Sequence, residues 1–338
     1  MVSMKFKFFF LAVGWVAGCA IAARAENSEG LLLVANKGDQ TLSIINPTTG
    51  VQLAAVAEDG ITGHEVVASA DGSLAFVPIF GNAGVGRTGT DGSLIRIIDL
   101  KKHIVIGTVD FGKGVRPHCA VIGPMNHLLY VTTELDDSIA VIDPKSFTLI
   151  GAIPTGQRES HMLAISRDGK TGYTANVAPG TVSVLDLEKK TVRKIISVCK
   201  TTQRISLSPD DKWIFTADQT KPQLAVIDTA KNEVARWIEL PGVGYGTAVT
   251  PDGRWLVVAM SGICQIGIVD LQTMKISRVL AVPKSPQEVL IRPDGAFAYV
   301  SCSASGLVAV INLEKFTVEN PIAAGKGADG LAWAVATK

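Results

Sequence analysis

The chain has few of the residues that usually announce a chemistry. Five cysteines occur in 338 residues, and none stands in a C-x-x-C-H arrangement, which excludes covalent c-type haem. Acidic and basic residues are interspersed, and no basic stripe with interleaved aromatics occurs, so no nucleic-acid surface is expected. No nucleophile–base pair stands out at a motif spacing. Only one apolar run approaches the length of a membrane span, and it lies near the start of the chain.

That run is read as a leader. Lys5 and Lys7 precede the apolar segment Phe8 to Val16, and Ala23-Arg24-Ala25 supplies an A-x-A cleavage site before Glu26. Residues 1–25 are therefore expected to be a signal peptide that sends a domain of residues 26–338 to the periplasm or beyond. Val16-Ala17-Gly18-Cys19 also fits a lipobox, so a lipid anchor at Cys19 is the competing expectation. Loss of the leader removes Lys5, Lys7 and Arg24 and no acid. Of 32 basic residues 29 remain against 31 acidic ones, a net charge of −2.

What the chain does have is a repeat. A polar residue closes a β-rich run at Asn46, Asp99, Asp143, Asp186, Asp228, Asp270 and Asn312, with gaps of 53, 44, 43, 42, 42 and 42. A period of this size that carries strands means small sheets stacked around an axis, because one unit cannot bury its faces alone. From His161 the unit reads HMLAIS, RDGK, TGYTAN, VAPG, TVSVLDLE, and VRKIIS then completes four strands. Asp-Gly or Asp-Asp pairs at 71, 168, 210, 252 and 294 supply the positive-φ residue of the first hairpin. In the third unit Met125-Asn126 stands there, with Asn126 expected in that role. The expected fold class is all-β: a seven-bladed β-propeller of four-stranded antiparallel blades. The first unit begins with its second strand at Leu31 to Asn36, and Gly330 to Ala334 matches the missing inner strand. Pairing the C-terminal strand with the N-terminal blade would close the ring and leave no free edge.

The repeats resemble the YVTN family of β-propellers, which includes YncE-like proteins. The resemblance spans Leu31 to Lys338 and is carried by Leu129-Tyr130-Val131-Thr132-Thr133, Ala298-Tyr299-Val300-Ser301, Ser138 to Asp143, Thr181 to Asp186, and Pro-Asp-Gly at 251–253 and 293–295. It implies the propeller fold and says little of activity, since members are mostly described as binding or uncharacterised proteins. Gly-His…Trp-Asp spacing and a double-Gly signature are missing, which disfavours WD40 and kelch propellers.

Aligning the units on their inner strands brings out a polar column: His64, His118, His161, Gln203, Tyr245, Gln287 and Asp329. Inner strands border the central channel, so the column is expected to ring one channel mouth. Three imidazoles from consecutive blades could hold Zn²⁺, Cu²⁺, Mn²⁺ or Fe²⁺, orient an anion, or act as acid and base. The bland alternative is a ring of satisfied polar side chains around a water-filled channel. Glu65, Arg116, Arg158, Glu159, Arg204 and Glu288 flank the ring, and Cys119 follows His118.

The second unit carries an insertion, residues 80–92, between its second and third strands. It lies on the face of the ring and is read as a lid, with Arg87 or Asn82 reaching a ligand, or as a plain surface loop. Its glycines lack a following Lys-Ser/Thr, so a phosphate loop is disfavoured. Cys264 and Cys302 form the best candidate disulfide, with free thiols as the alternative. His103 and His127 are expected at the surface, and the aspartates closing third strands as turn formers on the opposite face.

Three functional readings follow. The first is an exported binding propeller that uses the ring, the second-blade loop and the loops at 133–136 and 218–221 to hold a small molecule or protein. The second is a metal-assisted lyase or lactonase. The third is a cytochrome-d1-like redox partner with a non-covalent cofactor. Quinone-cofactor propellers are disfavoured by the missing Trp-docking repeat.

Overall fold

The strand-forming runs are rich in β-branched residues, and the second strand of each unit is apolar at successive positions, as in Leu32-Leu33-Val34-Ala35. Such a strand can be satisfied only if both of its faces are buried. The computed structural model describes Met1, residues 29–59 and residues 61–336. Apart from Met1, the expected leader with Cys19 lies outside the described residues.

Seven antiparallel sheets are present. In order from the inner strand outward, blade 1 is Ala328–Val335, Gly30–Asn36, Thr41–Asn46 and Val51–Ala57. Blades 2 to 6 begin at Val67–Ala68, Pro117–Ile122, Ser160–Ile165, Ser206–Leu207 and Thr247–Val249. Blade 7 begins at Pro286–Ile291. Its outer strand is in two pieces, Thr317–Val318 and Ile322–Ala323, both paired with Leu307–Asn312. Pro321 stands at the break and has no N–H to donate to a ladder.

The ring closes as the repeat requires. Leu31 pairs with Ala334, Leu33 with Ala332 and Val34 with Leu331. Loop contacts reinforce the seam: Lys37 and Gly38 donate to the carbonyls of Gly327 and Lys326, and the Gly325 N–H reaches Asn36 Oδ1 at 2.9 Å.

The core lies between blades. Leu33 and Ala35 pack with blade 2 residues Val66, Ala75 and Val77, while Leu32 and Val34 pack with Tyr299 and Val308 of blade 7. Alternate residues of one strand thus serve two neighbours, which explains the unbroken apolar runs. In blades 1 to 6 the pairing of third and outer strands slips by one residue at the same place, leaving Leu53, Ile106, Ile150, Arg193, Ala235 and Ser277 unpaired. Such bulges increase the local twist of the strand.

The closing polar residues are turn formers. Asp99 Oδ1 accepts from the N–H groups of Lys101 and Lys102, and Asp228 and Asp270 repeat the pattern. Four residues after each closing residue the backbone is left-handed, at Gly50, His103, Phe147, Lys190, Asn232, Met274 and Phe316. In the blade 3 hairpin the positive φ falls on His127, not on Asn126. Asn126 instead accepts the Leu128 N–H through Oδ1 and fixes the turn from its side chain. His127 is exposed and His103 half-buried.

Candidate functional site

The short connections from outer to inner strands bring the polar column to one end of the channel, in two unequal halves. His118 and His161 are buried at 2% exposure, deeper than an open mouth would leave them. Their rings stack at 3.6 Å, His64 meets His118 edge-on at 5.5 Å, and Phe80 from the second-blade insertion packs on all three. His64, Gln203, Tyr245 and Gln287 keep partial exposure, and Gln203 Nε2 lies 3.2 Å from His161 Nε2. Burial holds His64 down to about 4, and it holds His118 and His161 well below the usual imidazole value. All three rings are neutral at pH 7.

Stacked face to face, His118 and His161 do not converge on a common point as ligands would. Among the described residues no group of three His, Cys, Asp or Glu side chains is placed to hold a metal ion. The stack still leaves polar atoms open. Nδ1 of His118, Nδ1 of His161 and Oε2 of Glu134 are buried without hydrogen-bond partners, with Glu134 Oε2 3.9 Å from His161 Nδ1.

One residue beyond the column the repeat places Glu65, Cys119, Met162, Arg204, Gly246, Glu288 and Gly330. Arg204, 2% exposed, reaches across the channel. Its Nη1 binds Glu65 Oε1 at 2.5 Å and Glu288 Oε2, its Nη2 lies 3.3 Å from Asp329 Oδ1, and the guanidinium sits 5.1 Å from the Tyr245 ring centroid. Lys37 binds the other Asp329 oxygen at 2.9 Å. Burial raises Glu65 to about 8 and raises Glu288 as well, against the pull of Arg204. Asp329 is held below the usual carboxylate range because Lys37 and Arg204 outweigh its burial. Two cations thus face three carboxylates, and burial favours the protonated form of the two that grip one Arg204 nitrogen. The two glycines of this row sit where inner strands touch: the Gly330 N–H donates to the His64 carbonyl, and that of Gly246 to Gln287. A Cβ on Gly330 would stand 2.5 Å from Glu65 Cα.

The insertion folds toward blades 3 and 4. Arg116, 4% exposed, donates to Asp91 at 2.6 Å, Glu134 Oε1 at 2.9 Å and the Arg87 carbonyl at 2.5 Å. The Gly86 N–H also binds Glu134 Oε1, at 3.1 Å. Asn82 Oδ1 accepts the Thr90 N–H, so it braces the loop. Beneath the loop lies a cavity of about 430 Å³, with Arg87, Arg158 and Glu159 in its walls.

Cys119, Cys199, Cys264 and Cys302 are free thiols, so of the two alternatives for Cys264 and Cys302 the unpaired one holds. Cys302 is fully buried in the core of blades 6 and 7, and burial pushes its thiol up to about 12. Proximity of two loops did not supply bonding geometry.

A family profile described as "Domain of unknown function (DUF5074)" matches residues 99–305. The chain belongs to that family. No curated protein matches the sequence. Among solved structures, this DUF5074 protein is similar to Kuenenia stuttgartiensis hydrazine synthase, with TM-score 0.72 and 19% identity over 85% of this chain and 93% of that one. A functionally unknown protein from Desulfotomaculum acetoxidans gives 0.74 and 14%, over 90% and 99%. The dihydro-heme d1 dehydrogenase NirN, in complex with DHE, gives 0.64 and 13%, over 90% and 75%. At these identities the likeness is one of fold.

Sequence spacing had found the column but not the Arg204 crossing. Glu65 lies 139 residues from Arg204, and Glu288 lies 84 away. The only signal was that all three occupy the same place in their repeats.

Proposed function

We propose that this protein is an exported binding propeller of the YVTN kind that holds a small polar molecule at the His64–Gln203–Tyr245–Gln287 side of the channel mouth. The observation that carries this reading is the division of the ring. Phe80 packs on all three histidines and shuts His118 and His161 in, while Gln203, Tyr245, Gln287 and the part of His64 left open keep donors and acceptors above a floor of paired charges. Neutral imidazole, two carboxamides and a phenol suit an uncharged or weakly anionic ligand with several hydrogen-bonding groups. The paired network below gives the site a rigid base and leaves no free charge to select a strong ion.

Non-denaturing mass spectrometry of the protein purified from its own host tests this. A bound small-molecule mass is expected, and it should be lost in a His64→Ala, Gln287→Ala double variant that still melts cooperatively. No bound mass, or one retained by that variant, would refute the reading.

A redox role with a non-covalent cofactor is a second reading, supported by the unpartnered Nδ1 atoms of His118 and His161, each able to ligate singly. The dihydro-heme d1 dehydrogenase NirN is built on the same fold. An absorption spectrum with metal analysis of the same host-derived sample separates the two. A Soret band or stoichiometric metal lost in His118→Ala would favour this reading over plain binding.

A further inference from the structure

The cavity beneath the second-blade insertion is distinct from the channel mouth, and its charges are unusual. Its lining carries Arg87, Arg116 and Arg158 against Asp91, Glu134, Asp137 and Glu159. With three bases and four acids the field inside does not favour a simple anion. Nor are the charges all used up internally. Arg116 is held by Asp91, Glu134 and a carbonyl, so its main work is to fasten the loop.

What remains open is one set of each sign. The exposed Arg87 guanidinium has no hydrogen-bond or ion-pair partner among the described residues, and Arg158 has only the electrostatic influence of Asp137. Opposite them, Glu134 is 2% exposed and already engaged, with Oε1 held by Arg116 and Gly86 and Oε2 turned toward His161 Nδ1 at 3.9 Å, which leaves Asp137 and Glu159 as the open carboxylates of the lining. Glu159 stands beside the loop backbone, so close to Gly86 that a Cβ there would lie 2.5 Å from Oε1. Gly86, Thr88 and Gly89 form a roof with little side-chain bulk, and the half-exposed Leu135 supplies an apolar wall.

We propose that this cavity binds a small zwitterion of the α-amino acid class, its carboxylate held by Arg87 and Arg158 and its ammonium by Asp137 and Glu159. Planar guanidinium groups meet a carboxylate in bidentate fashion, and a carboxylate pair accepts all that an ammonium can donate. A ligand with only one of the two charges leaves the opposite set unpaired in a partly enclosed space. A volume of about 430 Å³ admits a free amino acid and excludes a folded partner.

Isothermal titration of the full chain with the twenty common amino acids, inorganic phosphate, acetate and propionate tests the proposal. At least one amino acid is expected to bind saturably, while phosphate and the acids lacking an amine bind at least tenfold more weakly. Arg158→Gln and Glu159→Gln should each weaken that binding tenfold or more with unchanged melting behaviour, and Lys145→Gln on the opposite face should leave it unaltered. The proposal is overturned if no amino acid binds, if phosphate or acetate binds as well, or if both cavity variants bind normally. The mass measurement at the channel mouth does not depend on these titrations, so either assignment can fail alone.

Discussion

Arg204 is the residue on which the channel depends most. Its guanidinium joins carboxylates from blades 2, 7 and 1, of which Glu65 and Asp329 are buried and Glu288 is mostly covered. A buried ion pair is costly to assemble, but removing one partner is worse, because the remaining charges lose their only compensation. Arg204→Met is therefore expected to destabilise the fold by about 3–5 kcal/mol in urea unfolding. Adding Glu65→Gln and Glu288→Gln to that variant should restore much of the loss. A single variant as stable as the parent would mean that the carboxylates are not held as described. The residues were all visible in the sequence, and their repeat positions pointed to the channel. Their pairing was not visible, because nothing in a linear period says which side chain is long enough to cross the axis. The histidines show the same limit: the column located them, but their stacking and burial depend on Phe80, which arrives from an insertion that breaks the period.

At the scale of the strand, sequence was most informative where one local rule sufficed. Asp-Gly pairs and closing aspartates mark turns because their side chains and φ preferences act within a few residues. It was least informative where neighbours decide. The third-to-outer bulge falls on Leu53, Ile106 and Ile150, apolar residues that nonetheless stay exposed. The hairpin at His127 took a positive φ on a histidine because Asn126 was engaged as an acceptor. Asn36 shows how much one strand end can carry. Fully buried, it donates to Thr41 and Ser43 and accepts from Gly325, so it ties the closing seam to the first hairpin. Asn36→Ala would leave the Ser43 hydroxyl and the Gly325 N–H short of partners. The expected loss is about 1–3 kcal/mol, and hydrogen exchange should rise first in Ala328–Val335 and Gly30–Asn36. Uniform exchange across all seven blades would argue against a seam held at this point.

The whole ring carries a pH signature, because its buried groups are shifted in opposite senses. Burial raises Glu58 to about 7 and Glu65 to about 8. For a raised acid the native state holds the extra proton, so this contribution is complete below the unfolded carboxylate value and is lost as pH climbs through 7 to 8. His64, His118 and His161 are lowered, so their contribution is complete above 6.5 and is lost as pH falls toward 4. Between 4.5 and 6.5 the two trends oppose one another, and above 6.5 only the carboxylates act. Urea midpoints should be highest in weakly acidic buffer and decline between pH 6.5 and 8. Glu58→Gln should make that decline shallower, since a carboxamide oxygen can still accept the Gly63 N–H that Glu58 now holds at 2.8 Å. Stability rising over that interval would be incompatible with these burials.

The central claim is that closing seven blades gathers three histidines, far apart in sequence, into one buried neutral cluster at the channel end. Nitrogen-15 NMR titration of the histidine side chains measures this directly. The account predicts that the His64 ring stays neutral until about pH 4 and that the His118 and His161 rings stay neutral well below pH 6.5. Three imidazoles protonating near 6.5 would contradict it, for they would then be separate and open to water.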